Sequence, residues 1–256
     1  MHKIFNKFHL QIIAAVVMTL DHLTWAIFPG YSLHPLAIIL HVLGRIAFPI
    51  FAYFIAEGYH YTSNKKKYLL RIFLFALISH APYMLCSISF KEYGWLSLIP
   101  FATGNGVTRF LNQGSVLITY FIGLLMLVVN DSNKLKTVVK AILILLFAVI
   151  AIPWDWSSVG ALIVLAIGSN RGKPLKQLLF SLIWISVYVL IYSLSLDLIY
   201  GFIQFSTLLA VPLIYFYNGK KCKNRKINQV LRYFFYFYYP LHLLIIGVVS
   251  LCLNNK

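Results

Sequence analysis

Acidic side chains are scarce in this chain: six Asp and Glu stand against 22 Lys and Arg, and charged residues of both signs make up only 11% of 256 positions. So little charge excludes an ordinary soluble domain of this length, which needs far more polar surface to stay dispersed. Cysteine is nearly as rare. Cys86, Cys222 and Cys252 lack the spacing of a zinc ligand set. A Cys86–Cys252 disulfide is one reading of them, and buried apolar-like thiols are the other. No two histidines show the H-x-x-x-H spacing with an adjacent glutamate, so no metal is expected. A Gly-rich phosphate loop is missing too, which argues against an ATP-driven enzyme. No internal repeat of the kind that marks many transporters is visible.

What the chain does contain is apolar residues, at 61%, with a mean hydropathy of +0.82. Such a composition matches an all-α polytopic membrane protein, a helical bundle whose main solvent is lipid. Apolar runs separated by polar breaks predict nine transmembrane helices, at 8–29, 34–57, 68–88, 112–130, 136–153, 157–169, 177–197, 202–217 and 230–252. The sixth is short, covering about 20 Å at 1.5 Å per residue. Charge argues for keeping it. With nine spans and the N-terminus inside, all 22 Lys and Arg except Arg45, Lys91, Arg109 and Lys256 fall on the cytoplasmic side or in the first turn beside it. Omitting the sixth span would put "RGKPLK" and "GKKCKNRK" outside. The expectation is therefore one domain over 1–256 in the cell membrane, N-terminus in and C-terminus out. The first span is too long for a signal-peptide core and is read as retained. The outer connection 89–111, with "YGWLSLIPFATGNG", either re-enters the membrane or lies on its surface.

The net charge of +16 does not point to nucleic acid. The basic residues sit in short clusters between apolar spans rather than along one face, and no recognition motif is present.

An ionisable residue inside a transmembrane helix is costly and is a functional candidate by default. In "MTLDHLTWAIF" of the first span, Asp21 and His22 lie about 11–12 Å below the outer end. His41 and Arg45 of the second span, at i and i+4, share one helix face near the same level. A carboxylate beside a histidine is one way to orient an imidazole that acts as a general base. Equally, Arg45 could neutralise Asp21 and make the group structural. His242, in "FYFYYPLHLLIIG" of the last span, is a further candidate. On the inner side, Glu57 ends the second span and can pair with Arg71 across the hairpin. Lys65, Lys66, Lys67 and Arg71 form a compact cationic patch, read either as positive-inside bias or as a phosphate-binding mouth for an anionic cosubstrate.

Several long motifs together resemble the TraX family, which includes the F-pilin N-acetylase. They are "MTLDH", "GRIAFPIFAYFIAEG", "YLLRIFLFALISHAPY", "YNGK" and "FYFYYPLHLL". "FPIF" after a polar first helix also looks like the wider transmembrane acyltransferases. The resemblance implies an acetyltransferase using acetyl-CoA, with Asp21, Arg45, Glu57, Arg71, Asn112, Asn218, Tyr239 and His242 as matching site residues. His22, oriented by Asp21, would be the first choice of base, with His41 and His242 as the alternatives, and Arg45 or Asn112 would hold the oxyanion. His80 stands where glutamine is commoner, which puts a catalytic role for it in doubt. The partners implied are acyl-CoA on the inside and a protein or glycan acceptor outside. Two other classes stay open: a transporter with an Asp/His/Arg relay, and an assembly protein in which the cluster only specifies packing.

The charge pattern makes a topological prediction. A reporter active only outside the cytoplasm is expected to work when fused after the ninth span and to be silent within 170–176. Activity in that loop would remove the sixth crossing.

Overall fold

A computed structural model describes residues 4–103, 111–220 and 225–254. Three residues used in the sequence reading (Arg109, Cys222 and Lys256) lie outside those described. Helices are α1 (Lys7–Ile27), α2 (Pro35–Gly44), α3 (Ala47–Tyr61), α4 (Lys65–Cys86), α5 (Ile88–Tyr93), α6 (Val116–Asn130), α7 (Thr137–Ala151), α8 (Ser157–Ser169), α9 (Pro174–Ser195), α10 (Leu198–Ile203), α11 (Ala210–Tyr215) and α12 (Arg225–Asn254). Tighter 3₁₀ turns cover Gly94–Leu98 and Gln204–Leu209. Among the described residues there is no β-strand, only one isolated bridge between Phe5 and Tyr217.

The protein is a polytopic helical membrane bundle. Six stretches are long and apolar enough to cross a bilayer: Lys7–Ile27, Pro35–Tyr61, Lys65–Cys86, Pro174–Ser195, Leu198–Tyr215 and Tyr233–Cys252. The remaining three predicted spans are also helical but shorter, at Val116–Asn130, Thr137–Ala151 and Ser157–Ser169. Local chemistry explains the starts. Asn6 accepts from the backbone N–H of His9 at the start of α1, and Asn64 does the same for Lys67 in α4. Pro35 and Pro174 occupy first helical positions, where a missing N–H costs nothing.

Two predicted spans are not continuous. The second is interrupted at Arg45–Ile46, between α2 and α3. Pro49 supplies the reason, because it cannot donate to the Arg45 carbonyl and its ring crowds that position. The chain responds by tightening, with Ile46 N–H donating to Leu43. The eighth span is likewise split into α10, a 3₁₀ turn and α11, with Pro212 inside the last piece. Irregular backbone at membrane depth is tolerated where protein covers it. Residues 89–103 begin with α5 and a 3₁₀ turn, and Phe101 N–H donates to the Gln113 side chain at 2.7 Å.

The described residues divide into two compact units. One comprises 1–51 and 189–256, and the other comprises 52–188. In the first, α1 packs on α2 and α12, and α2 also meets α10 and the 3₁₀ turn that follows. In the second, α6 packs on α4, α7 and α8. That contact explains why α6 is buried on nearly every side, from Val116 to Val129. By contrast, α7 and α9 present apolar side chains outward, such as Leu145 at 67% and Leu194 at 78% exposure, as lipid-facing helices do.

Close approach of α6 and α8 depends on Gly123. A Cβ there would lie 2.7 Å from Val164 Cβ and 2.9 Å from the Ala161 carbonyl oxygen. Small residues at such crossings are the usual device for packing helices in lipid. Gly123→Val is therefore expected to cost about 1–3 kcal/mol of stability, read as a lower unfolding midpoint in detergent. Ile142→Val, on the exposed face of α7, should leave that midpoint unchanged.

Candidate functional site

The polar group in the first unit is built on three helices. Asp21 projects from α1 toward the end of α2. His41 Nδ1 donates to Asp21 Oδ1 at 2.7 Å, and Arg45 Nη2 donates to Oδ1 and Oδ2, each at 3.2 Å. The carboxylate keeps only 13% of its side-chain exposure, Arg45 keeps 13%, and His41 keeps none. In so dry a place the ion pair and its hydrogen bonds offset the cost of removing the carboxylate from water.

Gly44 makes this arrangement possible. Positions 41, 44 and 45 share one face of α2. A Cβ at 44 would stand 2.4 Å from Asp21 Cβ, 2.6 Å from Cγ and 2.7 Å from Oδ1. The carboxylate thus rests on bare backbone, flanked by an imidazole and a guanidinium.

Sequence neighbours do not become contacts here. Asp21 was expected to orient His22, but among the described residues its hydrogen bonds come from His41 and Arg45. Successive residues on a helix point about 100° apart, so His22 faces a different helix. Its Nδ1 lies 3.1 Å from Nε2 of His242 on α12, and the two ring centres are 5.2 Å apart. His242 Nδ1 donates to the Tyr238 carbonyl at 2.8 Å. One helical turn before His22, Thr19 Oγ1 donates to the Ala15 carbonyl at 2.9 Å and lies 2.6 Å from the Tyr238 hydroxyl, which also reaches that carbonyl at 3.4 Å. The Tyr238 ring stacks on His242 at 5.1 Å, and buried Tyr239 meets it edge-on at 5.6 Å.

Aromatic rings cover His41. Trp25 lies 4.5 Å from it and Tyr200 lies 5.3 Å away, with Tyr31 against both covering rings. His41 Nε2 is sealed and has no partner among the described residues. One turn beyond Tyr200, Gln204 is 2% exposed and donates to the Tyr200 carbonyl, while its Oε1 is sealed with no partner among the described residues. Gly44, Trp25, Tyr200 and Gln204 were not singled out by the sequence. Gln204 lies in the interrupted eighth span and Tyr200 just before its expected start, in α10, and the interruption, signalled by Pro212, was the available clue.

In the second unit the expected Glu57–Arg71 pair does not form. Glu57 is instead held by Arg171 at 3.1 and 3.4 Å, with the guanidinium 4.4 Å above the Tyr61 ring. Arg71 lies against Tyr68, 6.0 Å from its ring centre. Lys65 Nζ donates to the Tyr59 hydroxyl at 2.9 Å and pairs with Asp131 at 3.7 Å, whereas Lys66 and Lys67 are exposed. Asn112 is exposed, with a left-handed backbone of φ 56°. His80 Nε2 donates to the Leu98 carbonyl at 2.9 Å, which gives it a structural job. Back in the first unit, Asn218 closes a turn. Its backbone N–H donates to the Phe5 carbonyl and its side chain accepts from Lys220 N–H at 2.8 Å.

The family described as TraX protein matches residues 7–250. Among curated proteins the chain is similar to a probable fimbrial assembly protein, FimC of serogroup H1, from Dichelobacter nodosus. The two are 26% identical over 244 residues, covering 93% of each chain. No solved structure matches the chain.

The Gly44 seat is testable by a double-mutant cycle. Gly44→Ala forces the carboxylate out of its place and should cost about 1–3 kcal/mol. Asp21→Asn disturbs the same contact, so the double variant should lose less than the sum by about 0.5–3 kcal/mol. Strict additivity of the two unfolding midpoints would show that the close approach has no energetic weight.

Proposed function

This chain belongs to the TraX family, and on that premise we propose that it is a membrane-embedded acetyltransferase. It moves an acetyl group from cytosolic acetyl-CoA to an amine or hydroxyl of an extracytoplasmic acceptor, either a pilin subunit or a surface glycan. A fimbrial context is suggested by the name of the relative from Dichelobacter nodosus. The observation that carries the reading is a pair of histidine centres within one helical unit, in segments apolar enough to span a membrane. Polar groups held so deep need a use, and proton transfer is the use that imidazoles serve best.

Of the two centres, His22 suits the role of general base. His41 is wholly buried under Trp25 and Tyr200, whereas His22 is only partly buried. His22 takes a proton from the acceptor as its nitrogen or oxygen attacks the thioester carbonyl. The new bond to the acetyl carbon forms, the carbon–sulfur bond breaks, and the same proton passes to the CoA thiolate. Arg45, locked on Asp21, adds positive charge near a developing oxyanion. Lys66, Lys67 and Arg71 are assigned to the phosphates of acetyl-CoA. Lys65 and Glu57 hold that region through Asp131 and Arg171, and Asn218 and Tyr239 support the first unit.

A transporter is the second reading. Interrupted helices often line substrate paths, and both interruptions, at Arg45–Ile46 and within Leu198–Tyr215, fall in the unit that holds the histidines.

The experiment pairs binding with turnover on detergent-purified protein. Acetyl-CoA at 100 times its dissociation constant should add about 2.7 kcal/mol to the folded state. The resulting rise in unfolding midpoint should be matched by CoA, not by ATP. His22→Ala should keep that shift and lose acetyl transfer to a pilin or glycan acceptor by about 10²–10⁴-fold. Full transfer in His22→Ala would sink the assignment of the base. Counterflow in proteoliposomes without any acetyl-CoA response would favour the transporter.

A further inference from the structure

We propose that the backbone carbonyl of Tyr238, acting through His242, fixes the tautomer of His22 and so makes Nε2 of His22 the proton-accepting atom. A carbonyl can only accept, so His242 Nδ1, 2.8 Å from the Tyr238 oxygen, carries a proton. With one proton on each ring, His242 Nε2 is then a lone pair. His22 Nδ1 faces that lone pair at 3.1 Å and must itself carry a proton, because two lone pairs at this distance repel. The lone pair of His22 is left on Nε2, which has no partner among the described residues. Hydrogen-bond direction thus runs one way, from His22 to His242 to the helix backbone.

The geometry around His242 makes this direction hard to reverse. Flipping the His242 ring in its own plane would put Cδ2 against the Tyr238 carbonyl and Cε1 toward His22, so both hydrogen bonds would be lost. Tyr238 stacks flat on the ring at an interplanar angle of 13°, and Tyr239 stands against it at 70°. Tyr238 is itself tied to α1 through Thr19. Asp21 does not compete for His22, since its oxygens are engaged by His41 and Arg45.

Under this scheme His242 is a positioning residue, not a second base. The consequence for catalysis rests on the acetyltransfer reading; the tautomer does not. When His22 gains the acceptor's proton on Nε2, its Nδ1–H stays bonded to His242 Nε2, which steadies the imidazolium until the proton leaves to the thiolate.

Nitrogen-15 NMR of histidine-labelled protein in detergent tests it directly, with His22 assigned through His22→Gln. The wild type should show a protonated Nδ1 and a bare Nε2 at His22. His242→Gln, whose carbonyl oxygen can still accept from His22, should keep that pattern and most of kcat. His242→Leu, which removes the acceptor, should let His22 return to the Nε2-protonated form that free imidazole favours. It should also lower kcat by about 10²-fold or more with little change in KM. A proton on Nε2 of His22 in the wild type, a doubly protonated pair, or an unchanged His22 pattern in His242→Leu would each overturn the proposal. A correct tautomer in a protein that transfers no acetyl group would retain it and discard the acetyltransferase reading.

Discussion

An ionised carboxylate inside a membrane helix is tolerable only with compensating charge close at hand, and the first unit is organised around meeting that need for Asp21. Arg45 brings the charge, His41 brings a short hydrogen bond, and Gly44 brings the space. Each requirement shapes the backbone. The helix face at 41, 44 and 45 must point at α1, and α2 must end just beyond it so that the chain can pass Pro49. Aromatic rings then close over His41 and keep water out. Sealing strengthens the ion pair, because the same charges interact more strongly where the surroundings polarise less.

His22 is set apart from this group by the geometry of a single helix. One step along α1 turns the side chain away from α2 and toward α12. The unit therefore holds an Asp21–Arg45 pair that is locked and a His22–His242 pair that is neutral and directional. A locked ion pair contributes a steady field, while the imidazole pair contributes a hydrogen-bond chain that ends on the backbone of α12. Separating the two on adjacent residues keeps the carboxylate from capturing the His22 imidazole.

The helical class was legible in the sequence, because long apolar runs leave a strong periodic and compositional trace; of the nine expected spans, six are long and apolar enough to cross a membrane and three are shorter helices. Legible too was the shared face of His41 and Arg45, which follows from i, i+4 spacing. The interruption after Gly44 could have been read from Pro49, and a continuous span was expected instead. Other features left no trace. Gly44 acts through a missing side chain, which looks the same in any helix. Glu57 chose Arg171 over the nearer Arg71, and such a choice depends on how α8 and its following turn pack, not on separation along the chain. The adjacency of Asp21 and His22 was misleading for the same reason: on a helix, neighbours diverge.

The link between His22 and His242 joins residues 220 positions apart, in the earliest and latest of the described helices. During synthesis the chain emerges in order, so α1 enters the membrane long before α12 exists. Throughout that interval Asp21 can already find His41 and Arg45, and the charge problem is solved early. His22, however, has no fixed orientation until the final helix arrives and Tyr238 and Thr19 set its register. An unfinished or misinserted chain would thus carry a stable ion pair and an undirected imidazole. The orientation of that imidazole would be set only when assembly is complete.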